Sequence, residues 1–204
     1  MALKQLVPPA QNPVSLEETL NFLKVEPGVD DQLILQLVET ATLAVEAFTG
    51  RALLRQKWEM RLNPAFGSAW SDQEFLDFRS LVENGGIIIP KAPFLTLDVA
   101  PVICHQEKGI RPVMSFRVDI SQDQARLHVD AGRVDKGKDA LVISYWVGYG
   151  EKEEDIPSPI RTSILDLVDI LYQERSVGQL PLTPVMTPKI LALLSPYRLS
   201  ISLN

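Results

Sequence analysis

Residues Asp30-Asp-Gln-Leu-Ile-Leu-Gln-Leu-Val-Glu-Thr-Ala-Thr-Leu-Ala-Val-Glu-Ala-Phe-Thr-Gly50-Arg-Ala-Leu-Leu-Arg-Gln-Lys-Trp-Glu-Met-Arg-Leu62 change hydrophobic period partway along, and that change decides the fold class. Up to Phe48 the apolar residues are Leu33, Ile34, Leu37, Val38, Ala41, Ala44, Val45 and Phe48, in steps of three and four that make one helical stripe. Asp30 is placed to cap that helix, and Gly50 to end it where a left-handed residue is wanted. Beyond Gly50 the step becomes two: Trp58, Met60 and Leu62 alternate with Lys57, Glu59 and Arg61, the pattern of a strand with one buried face.

Towards the N-terminus, Ser15 followed three residues later by Glu18 predicts a capping box opening a short helix that runs to Lys24. Val25-Glu-Pro-Gly-Val29 separates it from the long one. Towards the C-terminus, alternation predicts strands with buried faces at Leu95, Leu97 and Val99, at Met114, Phe116 and Val118, and at Leu127 and Val129. Gly86–Pro90 and Leu141–Val147 read as more fully buried strands, and Asn84-Gly-Gly, Gln106-Glu-Lys-Gly and Asp130-Ala-Gly as turns. Helical period returns after Pro157, with Ile160, Ile164, Leu167, Val168, Leu171 and Tyr172 on one face of a helix reaching Arg175. A last short helix follows, capped by Thr187, started by Pro188 and stopped by Pro196.

This layout predicts an α+β fold: a small helical bundle formed by the N- and C-terminal helices, residues 1–50 and 156–204, with an antiparallel β-rich insertion, 51–155, between them. Neither helical end alone has enough apolar stripe for a stable core.

Composition limits the chemistry. The 204 residues carry 20 basic and 26 acidic side chains, a net charge of −6, which argues against a sequence-independent phosphate-binding surface. The one cysteine, Cys104, allows no intrachain disulfide, and His105 and His128 are too few for a multi-histidine metal site. The start lacks the apolar run of a signal peptide, and no run approaches a bilayer span, so a soluble cytoplasmic protein without a membrane partner is expected.

The candidate motifs fail on their own terms. Gly132-Arg-Val-Asp-Lys-Gly-Lys-Asp139 approaches a phosphate-binding loop, but Asp139 replaces the metal-binding hydroxyl and a strand follows where a helix is needed. Asp166 and Asp169 share a helix face without a histidine or second carboxylate helix, and read as a solvated or inter-subunit face. Glu151, Glu153, Glu154 and Asp155 read as a solvated loop before a helix. No activating motif surrounds any serine or cysteine, so no catalytic residue, cofactor site or metal site is assigned. The first two helices are no DNA reader either: Glu26, Asp30, Asp31, Glu39 and Glu46 fall between Val25 and Gly50 with no Lys or Arg. Partners for that face should be basic or apolar protein surfaces.

A family resemblance is carried by an ordered series of segments: Val14-Ser-Leu-Glu-Glu-Thr-Leu-Asn-Phe-Leu-Lys-Val25, Asp30-Asp-Gln-Leu-Ile34 and Glu46-Ala-Phe-Thr-Gly-Arg-Ala-Leu-Leu54, then Gln56 and Trp58. Ile89-Pro-Lys-Ala-Pro93, Tyr145-Trp-Val-Gly-Tyr-Gly150, Ile156-Pro157, Leu171-Tyr-Gln-Glu-Arg175 and Leu193-Leu-Ser-Pro-Tyr-Arg198 continue it. Together they resemble the head–tail connector, or adaptor, proteins of long-tailed phages and phage-like gene transfer agents, in the longer subgroup with a β-rich insertion. The resemblance covers residues 14 to 198 in order. Asn21 departs from it, where Ala, Lys or Arg is expected.

The resemblance implies a non-enzymatic part that assembles as a ring, typically of twelve copies, beneath the portal protein. It would contact a tail-side connector or stopper protein and let DNA pass without reading its sequence. It would move from the host cytoplasm during assembly to the neck of the particle. Leu199, Ile201 and Leu203 alternate with serines, which suits a strand added to a partner. With Tyr197 and Arg198 they are the expected portal-binding residues; a tail packed on its own subunit is the alternative. Glu46, Arg51, Asp166, Asp169 and Arg175 are the expected ring-interface residues, although a helix C-terminal charge effect explains the two arginines equally well. The competing functional class is a small-molecule or peptide-binding module using the sheet face. A hydrolase without visible catalytic residues comes third.

Overall fold

The long helical stripe and the strands beyond Gly50 fall in different parts of the molecule. A computed structural model describes residues 2–62, 86–105, 108–120, 124–129, 139–174 and 186–199. The chain divides into two compact units, one of Pro9–Arg55 with Tyr149–Asn204 and one of Met1–Pro8 with Gln56–Gly148.

The first unit is helical. It contains α1 (Leu16–Leu23), α2 (Asp31–Thr49), α3 (Ser158–Glu174) and α4 (Pro188–Leu194), with 3-10 turns at Glu153–Asp155 and Ser195–Tyr197. Ile34, Leu37, Val38, Ala41 and Val45 of α2 share one core cluster with Ile160, Ile164, Leu167, Val168 and Leu171 of α3 and with Ile190 and Leu194 of α4. Burying each large apolar side chain contributes about 1.5–3 kcal/mol, so this cluster dominates the unit's stability.

The expected caps are met in part. Ser15 Oγ accepts from Glu18 N at 3.1 Å, but Glu18 does not complete a box: its carboxylate takes Arg161 Nη2 of α3 at 2.6 Å. Asp30 precedes α2 without a side-chain cap bond, because its carboxylate accepts from Tyr172 Oη at 2.8 Å. In both cases a local helix signal is diverted into a tie between helices. Gly50 ends α2 with φ 74°, and Thr187 caps α4 ahead of Pro188.

The second unit is sheet. Its strands are β1 (Ala2–Val7), β2 (Gln56–Leu62), β3 (Ile87–Ile88), β4 (Phe94–Leu97), β5 (Val102–His105), β6 (Gly109–Pro112), β7 (Phe116–Asp119), β8 (Arg126–Val129) and β9 (Asp139–Val147). One sheet runs β1-β2-β9-β5-β6, with β4 also on β9; the other runs β3-β8-β7. All these pairings are antiparallel. β9 is the axis of the larger sheet, pairing with β2 from Gln56↔Val147 to Leu62↔Leu141 on one side and with β4 and β5 on the other. This accounts for the near-continuous burial of Ala140–Val147.

Two features depart from the sequence expectations. Strand β1 is not announced by any alternation, and its partner β2 lies some fifty residues away. The expected buried faces at Leu95 and Val99 and at Met114 and Phe116 are instead exposed, as is Ile120. Leu95 and Phe116 sit on strands only four residues long, Val99, Met114 and Ile120 lie beyond the strand ends, and no described element covers those side chains.

Tyr145 lies towards the C-terminal end of β9, wholly buried, and among the described residues its hydroxyl meets no partner. Burial pushes the phenol well above its ordinary value near 10. Tyr145→Phe should therefore be neutral or stabilising by about 1 kcal/mol, since it removes a desolvated polar group. The sign with pH follows from linkage. The folded state holds this proton more tightly than the unfolded one, so stability is intact below pH about 10 and falls as pH rises above it. Denaturant titrations at pH 8 and pH 11 should show a smaller alkaline loss in the Phe variant than in the parent.

Candidate functional site

Where α2 ends, the side chains that hold the turn out of the helix include charged ones. Glu46 and Arg51 are both buried, at 9% and 7% exposure. Glu46 Oε1 accepts from the backbone N–H of Leu53 at 2.8 Å, a donor left over as the chain leaves the helix. Thr49 Oγ1 donates to Val45 O at 2.8 Å and accepts from Arg51 N at 3.3 Å. Arg51 Nε donates to the carbonyl of Tyr197 at 2.5 Å, so a residue next to α2 holds the end of the chain.

The C-terminal segment answers with contacts of its own. Leu199 N donates to Thr49 O at 2.9 Å, an orphan helix carbonyl. The Leu199 side chain is buried over Gly50, where an added Cβ would stand 3.4 Å from Leu199 Cδ1. Arg198 places its guanidinium 5.3 Å from the Phe48 ring centroid, within cation–π range. Gly50 is thus needed for its positive φ, while a Cβ there would only touch Leu199 at ordinary contact distance.

The expected site residues therefore separate. Tyr197, Arg198 and Leu199 are brought together on the end of α2 within their own chain, while Ile201 and Leu203 lie outside the described residues. Glu46 and Arg51 are engaged in the same turn. Asp166 pairs with Lys189 Nζ at 2.7 Å, linking α3 to α4. Asp169 Oδ1 accepts from Gln173 on the same helix at 2.8 Å. Arg175 lies outside the described residues.

Of the five acids between Val25 and Gly50, Glu46 and Asp30 are spent on internal hydrogen bonds, and Asp31 accepts from Gly28 N at 2.8 Å. Glu26 and Glu39 remain on the exposed surface. The internal uses are not marked in the sequence, because a carboxylate that caps an amide seven residues away has no local motif.

The residues considered for catalysis do not converge. Cys104 lies on β5 of the larger sheet, half-buried. His128 lies on β8 of the smaller one, its ring against Gly86, where an added Cβ would stand 2.8 Å away. Among the described residues no three His, Cys, Asp or Glu side chains gather as metal ligands, and no helix is long and apolar enough to cross a membrane. The loop resembling a phosphate-binding motif lies almost wholly outside the described residues; the strand expected after it is β9.

No protein-family model matches the chain, and no curated protein is significantly similar to it in sequence. Solved structures do match. A chain in the neck of an empty GTA particle, computed with C6 symmetry, is 18% identical with a TM-score of 0.72, covering 97% of this chain and 95% of that one. A chain in the virion of the native gene transfer agent (GTA) particle is 16% identical with a TM-score of 0.71, at the same coverage. A chain in the neck of the native GTA particle, computed with C12 symmetry, is 18% identical with a TM-score of 0.64. At these identities the likeness establishes a shared fold, and it extends over both units.

Proposed function

We propose that this chain is a non-enzymatic head–tail connector of a phage-like particle. It assembles as a ring, with twelve as the expected number of copies, joins the portal protein to the next tail-side connector or stopper, and leaves a channel for DNA. The observation that carries this reading is the likeness to particle-neck chains over 97% of the sequence, in particles solved with six-fold and twelve-fold symmetry. The helical unit is then the connector core, a bundle drawn from both ends of the chain, with the β-rich insertion between them. Assembly takes place in the host cytoplasm and the finished ring resides in the particle neck.

The contacts around α2 support a division of the proposed residue roles. With Leu199 buried on its own α2, the strand offered to the portal is the stretch beyond it, including Ile201 and Leu203, with Tyr197 and Arg198 fixing its point of departure. Asp169 and Arg175 are the residues offered to a ring neighbour. Glu46, Arg51 and Asp166, already engaged within the chain, act by shaping the surface.

The decisive experiment mixes the protein with its portal and follows sizing and negative-stain images. Rings seated on the portal support the reading; a permanent monomer that ignores the portal overturns it. Deleting residues 200–204 should weaken portal binding at least about tenfold while leaving the helical unit folded, because added-strand contacts are lost. Undiminished binding would remove the tail from the docking surface.

A further inference from the structure

The described sheets leave several strands open on one side, and most of these edges carry a device against further pairing. Strands β1 and β4 each have a register shift, between Gln5 and Val7 and between Phe94 and Thr96. Pro112 ends β6 without an N–H, and β3 is two residues long. Strand β7, an edge of the smaller sheet, has none of these. Among the described residues it pairs with β8 alone, without a shift, from Phe116↔Val129 to Asp119↔Arg126.

The residues on that edge are matched to a copy of themselves. Phe116 and Val118 share the sheet face of the buried Val129 and Leu127, so an apolar face runs out to the rim. There Phe116 is 41% exposed, and Ile120, one residue past the strand, is 68% exposed. Arg117 and Asp119 fall on the opposite face. Paired antiparallel with itself about Val118, the run Phe116-Arg-Val-Asp-Ile120 sets Phe116 on Ile120, Val118 on Val118 and Arg117 on Asp119. Centring the pairing on Arg117 or on Asp119 instead sets like charges opposite each other, so charge selects the register. Asp119 already stands opposite Arg126 of β8, and the two oxygens of a carboxylate serve an arginine on each side.

We propose that two free copies of this chain join through β7, edge to edge and antiparallel about Val118, in one continuous sheet ordered β3-β8-β7-β7-β8-β3. The two apolar faces then merge, and each Phe116 is covered by Ile120 of the other copy. The contact is isologous and closes at two copies, so it cannot propagate around a ring. It belongs to the chain off the particle and is independent of the ring reading.

Sedimentation velocity of the full chain without portal, from about 1 μM to 1 mM, should show a reversible monomer–dimer equilibrium, weak because one strand pair buries little area. Arg117→Asp sets carboxylate against carboxylate, and Ile120→Lys removes the apolar pair. Each should raise the dissociation constant at least about tenfold. Both side chains are exposed, so both variants should melt like the parent. In a Cys104→Ser background, Val118→Cys should give at least about fivefold more dimer with a short bismaleimide than Thr162→Cys, exposed on α3, because residue 118 meets itself at the two-fold. A chain monomeric throughout, or a dimer indifferent to both substitutions, overturns the contact. So does equal crosslinking at residues 118 and 162, or a larger assembly that ignores both substitutions. None of these results touches rings seated on the portal, so the two readings fail separately.

Discussion

Glu46→Ala should destabilise the helical unit by about 2–3 kcal/mol, whereas Glu46→Gln should cost under about 1 kcal/mol. The alanine variant leaves the Leu53 amide buried without its acceptor at the turn out of α2, and an orphaned buried donor carries its full desolvation penalty. Glutamine keeps a carbonyl oxygen at the same position. Urea titration followed by ellipticity at 222 nm, which is dominated by the helices, separates the two outcomes. Equal losses in both variants would mean that the charge, and not the hydrogen bond, matters. The result also bears on function, because the same turn presents Arg51 to the Tyr197 carbonyl and so sets where the C-terminal segment leaves the helices.

The other large effect belongs to the core. Leu167→Ala should cost about 3–4 kcal/mol, since Leu167 is wholly inaccessible in the cluster shared by α2, α3 and α4, and truncation adds a cavity to the lost burial. Leu167→Met, which conserves volume, should cost less than about 1.5 kcal/mol. The same urea titration reads both. A loss near that of a surface substitution, about 0.5 kcal/mol, would show that the cluster relaxes around the gap.

Much of the architecture is legible because it is written locally. The stripe from Leu33 to Phe48, the stop at Gly50, the alternation around Met60, and the Thr187–Pro188 start are each readable within one turn or one strand. What escaped depends on partners distant in the chain. β1 is six unremarkable residues whose strand character comes from β2. Met114, Phe116 and Val99 alternate like residues with a buried face, but alternation says only that a strand has two faces, not that anything covers one. The candidate site shows the same division. Charge at Glu46, Arg51 and Asp166 suggested surface, while hydrogen bonds spanning from seven to well over a hundred residues turn each one inward.

The way β9 and α3 close their units has a consequence for synthesis. Both units are discontinuous: the sheet unit needs residues 1–8 together with 56–148, and the helical unit needs 9–55 together with 149–204. As the chain leaves the ribosome, β1 and β2 wait for β9 before the larger sheet has its axis, and the apolar stripe of α2 waits longer still, for α3. Long-range closure of this kind slows folding, and the waiting stripe is open to wrong partners in the meantime. The helical unit is therefore the last to be finished although it holds the earlier helices. A chain truncated after residue 150 and released should show a protected sheet together with protease-sensitive N-terminal helices.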